Sequence, residues 1–252
     1  MNIHWIITLL CLVIFVIYIY NKPVNKSIKK SISKTFEMKD IIILITNCKK
    51  YYYKRELQLN SWIKKLKPNV KYYHVIGDRK RFENIDSDYI FDQDSRIIYV
   101  NTDDDYLSLP EKLITAYQAV NENFVYKYIF KTDDDQEVRE DFWEIILSNL
   151  EENIHYGGFK TTLKKEEKIF GKNPYTDEHP ELLEREIILE KGSYCGGRFY
   201  LLSNKAINNL LINKKEIKKR VIEDHAISYY LDEKLKVNAL YFNIDEYFKT
   251  KY

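Results

Sequence analysis

Net charge of one sign is what this 252-residue chain lacks: 40 Lys and Arg stand against 38 Asp and Glu, leaving +2 at pH 7. The basic residues are scattered and matched by acids, so no global field points to nucleic acid or another polyanion. Cysteine is also scarce, with three in all. Cys11 falls in an apolar N-terminal run, which leaves only Cys48 and Cys195 to pair, and no disulfide framework is implied. Internal repeats are missing. No Lys or Arg precedes the first apolar run and no small-residue cleavage site follows it, which argues against a cleaved signal peptide.

Residues 3–20 are apolar apart from His4 and Thr8 and carry no formal charge. That length matches the roughly 17–25 residues that cross a bilayer, with Trp5, Tyr18 and Tyr20 where interfacial aromatics belong. Residues 1–20 therefore read as a single membrane anchor and 21–39 as a basic stalk. Residues 40–252 form one domain long enough to bury a core. Lys22, Lys26, Lys29, Lys30 and Lys34 all follow the span, so the positive-inside rule holds the domain in the cytosol. Asn25-Lys26-Ser27 is a glycosylation sequon that speaks weakly for a lumenal face.

Along the domain, strands and helices alternate. The apolar run 41–46 reads as a strand covered on both faces. A helix is expected over 53–66, with Leu57, Trp62, Ile63 and Leu66 on one side and Pro68-Asn69 as its stop. Strands follow at 70–76 and 97–100. Ser108 and Glu111 have capping-box spacing, with Pro110 in the first turn, and predict a helix to about 121. A strand at 126–131, a helix at 139–150, a strand at 199–202, helices at 204–211 and 223–231, and a strand at 237–242 complete the pattern. Such alternation argues for an α/β sheet with mostly parallel strands. The stretch 160–191 is long, charged and only partly periodic, and reads as a functional or mobile loop.

Ligands in such sheets bind beyond the carboxyl ends of strands. There the run Tyr126-Lys127-Tyr128-Ile129-Phe130-Lys131-Thr132 delivers three consecutive carboxylates, Asp133, Asp134 and Asp135. Like charges in a row repel unless a cation sits among them. Asp133 and Asp135 fall on one side of an extended chain and offer only oxygen, which suits a hard divalent cation such as Mg2+ or Mn2+ completed by substrate phosphates. The competing reading is a solvated acidic loop. A second triplet, Asp103, Asp104 and Asp105, precedes a helix, and dipole and solvation effects account for it.

Three segments stand in order: Lys131-Thr132-Asp133-Asp134-Asp135, then Tyr194-Cys195-Gly196-Gly197-Arg198-Phe199-Tyr200-Leu201-Leu202-Ser203, then Val221-Ile222-Glu223-Asp224-His225. Together they resemble the β-1,3-galactosyltransferase and fringe superfamily of nucleotide-sugar glycosyltransferases, of the family 31 type. Arg55 through Ser61-Trp62 and the segment Asp105-Tyr106-Leu107-Ser108-Leu109-Pro110-Glu111-Lys112 look like two further family pieces. The likeness runs roughly over 41–240.

The resemblance implies a GT-A fold, an N-terminal signal anchor in a Golgi or ER-type membrane, and inverting transfer of a hexose or N-acetylhexosamine from a UDP-sugar to a glycan or glycoprotein hydroxyl, with β-1,3 linkage. Under it, Asp135 and Asp133 ligate Mn2+ (or Mg2+), and Asp133 and Asp134 also hold the ribose and the metal's waters. Arg55 and Thr46 are candidates for nucleobase and phosphate contacts. Asp224 is the general base. Trp62, Cys195, Gly196 and Gly197 are candidates for the donor-sugar or acceptor pocket. Relatives carry valine at His225 and small residues at Arg198 and Phe199, so the bulk at Phe199 bears on which sugar fits. Several relatives take a metal-ligating histidine from the C-terminal region; no histidine follows His225, so His225 takes that place or water fills it, and a lone histidine is more often structural. A helix N-terminal acidic pair is the competing reading of Glu223-Asp224.

Two other functions share some of these features. A haloacid-dehalogenase-type phosphohydrolase also ends a strand in aspartates, but Glu137 stands where that pattern has threonine or valine. A non-catalytic, membrane-anchored sugar-binding or scaffold protein on the same fold is the other, against which Asp135 and Asp224 speak.

Overall fold

The structure is a computed structural model that describes residues 36–169 and 186–251, all within one compact unit. The expected anchor and most of the expected stalk lie outside these residues. Among the described residues no helix is long and apolar enough to cross a membrane. Phe36 and Met38, expected in the stalk, are already buried, so the compact fold starts ahead of Asp40.

The centre is an eight-stranded sheet. In chain order its strands are β1 (Ile41–Thr46), β2 (Lys71–Gly77), β3 (Tyr89–Asp92), β4 (Ile97–Val100), β5 (Tyr128–Asp133), β7 (Tyr156–Leu163), β10 (Gly192–Ser203) and β11 (Leu240–Tyr241). The spatial order is β11-β7-β10-β5-β1-β2-β4-β3. The block β5-β1-β2-β4 is parallel, while β10 runs antiparallel to both β5 and β7. Side strands β6 (Gln136–Val138) and β12 (Phe248–Thr250) pair with each other, as do β8 (Glu167–Ile169) and β9 (Ile187–Leu189). The described ends of the stretch 160–191 are therefore strand rather than loop.

Side-chain alternation splits β1 between two cores. Ile42 and Leu44 join one layer and Ile41, Ile43 and Ile45 the other, all at most 1% exposed. A continuous apolar run is what a strand covered on both faces requires. The first layer packs against α2 (Leu109–Asn123), α4 (Asn204–Ile212) and α6 (Glu223–Tyr230). The second takes Trp143 and Phe142 of α3 (Phe142–Asn149), Trp62, and Phe248 of β12. Three short helices complete the described set: α1 (Tyr52–Asn60), α5 (Lys214–Ile217) and α7 (Glu233–Lys236).

Candidate active site

Thr46 and Asp133 are register partners at the carboxyl ends of β1 and β5. The chain turns at Asp134 and Asp135 and re-enters extended structure at Gln136. Asp133 and Asp135 thus flank a turn and do not share one face of a continuous strand. The turn is held from beneath by its backbone. Gln58 Nε2 donates to the carbonyls of Asp133 (3.2 Å) and Gln136 (3.4 Å), Trp62 Nε1 donates to the Gln136 carbonyl (3.0 Å), and Lys251 N donates to the Asp135 carbonyl (2.9 Å).

Lys131, two residues before Asp133, points to the same side of β5. Its ammonium is 2.6 Å from Asp133 Oδ1, 2.6 Å from the Gly197 carbonyl and 3.4 Å from Glu223 Oε2. Burial opposes that charge, yet Asp133 and Glu223 outweigh it and hold the ammonium above the usual lysine range. Glu223 in turn accepts a hydrogen bond from the Tyr200 hydroxyl, which meets the hydroxyl of fully buried Tyr117. Burial pushes the Glu223 carboxyl up to about 7, with Lys131 pulling the other way.

Asp224 is fixed by two backbone donors. Oδ2 accepts from Gly197 N–H at 2.8 Å and Oδ1 from His225 N–H at 2.7 Å. Burial raises its carboxyl above the usual range although Lys131 and both N–H groups favour the anion. One glycine therefore joins the two distant motifs, since Gly197 receives Lys131 on its carbonyl and gives its N–H to Asp224. Asp134 lies 3.5 Å from Lys54, and burial, against that cation, lifts it to about 7.

Four expected site residues stand elsewhere. Arg55 donates to the Ser95 carbonyl and to Glu56, both at 2.6 Å, because α1 turns it toward the start of β4 rather than the strand ends. Trp62 is 3% exposed and supports the acidic turn from the core; it lines no sugar pocket with the aspartates. Cys195 is wholly buried, its N–H donating to the Tyr156 hydroxyl at 2.7 Å, and burial pushes the thiol up to about 12. His225 turns its ring away from the aspartates, with Nε2 3.0 Å from the Glu190 carbonyl. The bulk at Phe199 enters the second core against Phe130, Phe142 and Phe248, so it crowds no ligand. Arg198 reaches Gln136 Oε1, Asp245 Oδ1 and the Phe248 carbonyl at 3.0, 2.6 and 2.9 Å.

Three contributors escaped sequence reasoning. Lys131 carried a signal, since period-two alternation puts it beside Asp133. Glu223 stood in the third motif and as a helix-start acid, but without a role of its own. Asn47 had no signal: it is 2% exposed, and among the described residues neither side-chain polar atom has a hydrogen-bond partner, as is also true of Thr46 Oγ1. Such buried orphans at the strand ends are groups that a ligand can satisfy.

The donor set at the turn is carboxylate oxygen alone, from Asp133, Asp134 and Asp135. Among the described residues no three His, Cys, Asp or Glu side chains converge as a metal cage. Those residues fit a hard cation whose shell is completed by phosphate oxygens and water, the usual Mg2+ arrangement.

The galactosyltransferase family model matches residues 53–241. Among solved structures, a glycosyltransferase involved in glycosylation of the major capsid of PBCV-1 is similar at 13% identity and TM-score 0.44, covering 81% of this chain and 82% of that one. The 4-diphosphocytidyl-2C-methyl-D-erythritol synthase of Anaerococcus prevotii also gives 13% and 0.44, covering 81% and 87%. The galactosyltransferase LgtC, solved with donor and acceptor sugar analogs, gives 11% and 0.43, covering 81% and 73%. Likeness at this level assigns no residue and no reaction. Among curated proteins none matches the chain. The family match takes in α1, the acidic turn, the Gly197 junction and Asp224, and with it the chain belongs to the galactosyltransferase family, of the family 31 type.

Proposed function

We propose that this glycosyltransferase is a GT-A enzyme that moves a hexose or N-acetylhexosamine from a UDP-sugar to a hydroxyl of a glycan or glycoprotein, with inversion and, by family resemblance, β-1,3 linkage. The observation that carries the reading is the Gly197 junction, which ties Lys131 and Asp133 to Asp224 through bonds of 2.6–2.8 Å. A donor motif and a base that are far apart in sequence are thereby held in one rigid unit.

Asp133, Asp134 and Asp135 would hold Mn2+ or Mg2+ together with the diphosphate. When bound, the cation neutralises charge on the departing UDP. Thr46 and Asn47 offer buried polar atoms to the nucleotide. Asp224 takes the acceptor hydroxyl proton as that oxygen bonds to the anomeric carbon and the bond from that carbon to the diphosphate breaks. Its raised carboxyl pKa makes it a stronger base than an exposed aspartate, and the two backbone donors fix its orientation. Residues 3–20 would anchor the enzyme in a membrane of the Golgi or ER type.

A panel of UDP-sugars assayed with Mn2+ or EDTA tests the reading. Asp135→Ala should lose metal-dependent UDP-sugar binding. Asp224→Asn should keep donor binding and lose about 10²–10⁴-fold in transfer rate, the usual worth of general base catalysis. If no UDP-sugar binds in a metal-dependent manner, the enzyme reading fails; full transfer by Asp224→Asn removes only the base assignment.

A further inference from the structure

A cavity of about 620 Å³ opens between the start of β10 and the helices α6 and α7. Its walls come from the start of β10, from His225 and Tyr229 of α6, from α7, and from Lys160 and Tyr241 on the neighbouring strands. None of Asp133, Asp134 and Asp135 lines it, so it is separate from the donor turn. The chain ties it to the base all the same: His225 on its wall follows Asp224 in α6, and Tyr194 lies three residues before Gly197 on β10.

The wall chemistry is one-sided. Glu190 is paired with Arg220, and Glu233 is 2.6 Å from Lys236. Each wall carboxylate thus has a cation of its own beside it. Lys160, Lys191 and Lys234 are exposed, and among the described residues none of the three has a carboxylate partner. Lys160 lies over the Tyr241 ring at 4.9 Å. His225 is flanked by Tyr194 and Tyr229, at 5.5 and 6.2 Å between ring centroids, and Tyr229 remains 49% exposed. Tyrosines give an apolar body with a polar tip, which suits the mixed faces of a sugar ring. A cavity of this size, walled by tyrosine rings and charged side chains, has room for a small ligand.

We propose that this cavity is the acceptor subsite and that it takes an anionic carbohydrate, a sugar bearing a carboxylate or a sulfate, whose charge is met by Lys191 and Lys234. The inference rests on the glycosyltransferase reading for the word acceptor, but the binding of an anionic sugar does not. The anion sits among the lysines at the mouth, and the sugar rings lie along Tyr194 and Tyr229 toward the Asp224 end.

The test uses the full chain in detergent micelles and calorimetric titration with two charged and neutral pairs: trigalacturonate beside its fully methyl-esterified form, and galactose 6-sulfate beside galactose. At least one anionic probe should bind about tenfold more tightly than its neutral counterpart, a gap that shrinks as salt rises. Lys191→Glu with Lys234→Glu, both surface changes, should erase that preference while leaving UDP binding intact. Which anionic probe wins distinguishes carboxylate from sulfate. Equal affinity for charged and neutral probes, or an anion preference that survives the double reversal, overturns the proposal. Competition by UDP for the lysine-dependent site overturns its assignment to the acceptor. Asp135→Ala separates the two readings, since it should lose UDP binding and keep anionic-sugar binding. Native protein that binds an anionic sugar but no UDP-sugar sinks the enzyme reading alone.

Discussion

Lys131 is 1% exposed yet carries its charge among Asp133, Glu223 and the Gly197 carbonyl. Removing one member of such a buried set leaves the others uncompensated, typically at a cost of 3–5 kcal/mol. Lys131→Met should therefore lose about 3–5 kcal/mol in urea unfolding. Adding Glu223→Gln should restore part of it; a double variant no better than the single would show that Glu223 does not depend on this cation. His74 makes a second residue-scale case. It is wholly buried in β2, among the described residues neither ring nitrogen has a hydrogen-bond partner, and burial, helped by nearby Arg55, pushes its pKa from 6.5 down to about 3. The folded value is the depressed one, so this group's stability is complete above pH 6.5 and is lost as pH falls toward 3, by up to about 1.36 kcal/mol per pH unit. Asp134 and Glu223, raised to about 7, act in the opposite sense, the fold retaining their protons up to neutral pH. The parent profile minus that of His74→Leu isolates the histidine, and a flat difference between pH 6.5 and 4 would exclude it.

At the scale of elements, strands were more legible than helix ends. The apolar run 41–46 and the strand 97–100 coincide with β1 and β4, because continuous apolar sequence demands cover on both faces. The helix expected over 53–66 breaks at Asn60, and Leu57, expected on the core side, is 42% exposed while Gln58 is buried. Periodicity ranks residues by hydropathy and could not foresee a glutamine recruited to hold the acidic turn. The start of α2 makes the same point. Ser108 makes no side-chain cap, and Glu111 pairs instead with Lys218 at 3.0 Å, so the capping box does not form. Asp105 Oδ1 accepts from Ser108 N–H at 2.8 Å. Asp104 accepts from Gly77 N–H at 2.9 Å and from Lys112, which gives the second triplet the structural role its position suggested. Thermal unfolding should accordingly separate the two positions. Asp105→Ala should cost about 0.5–1 kcal/mol, the lower range for a lost cap, and Ser108→Ala less than that; the reverse order would restore the capping box.

Across the whole molecule, the site's acids were legible and its scaffolding was not. Asp133, Asp134, Asp135, Gly197 and Asp224 announce themselves as short motifs, and the fold joins Asp133 and Asp224 through Lys131 and Gly197. Cys195 and His225 lie beside those motifs in sequence, and Arg55 and Trp62 in a family-like segment of their own, but side-chain direction, which linear spacing does not encode, sends all four elsewhere. The least legible part is the C-terminal brace. β12 pairs with β6 directly after the acidic turn, Phe248 is 1% exposed, and Lys251 bonds the Asp135 carbonyl. Arg198 spans the two sides, bonding Gln136 of β6, Asp245 and the Phe248 carbonyl. Arg198, read from the sequence only as standing where relatives carry a small residue, thus ties the end of the chain to the motif. Arg198→Met keeps much of the side chain's apolar bulk and removes all three bonds, so it should loosen the brace more than the sheet. Amide exchange at 136–138 and 248–250 should accelerate about tenfold or more, the equivalent of roughly 1.4 kcal/mol of local opening, while β1 and β5 stay protected. Uniform acceleration across the sheet would mean that Arg198 supports global stability instead. Unchanged exchange at 248–250 would mean that aromatic packing of Phe248 alone holds the chain end beneath the aspartates.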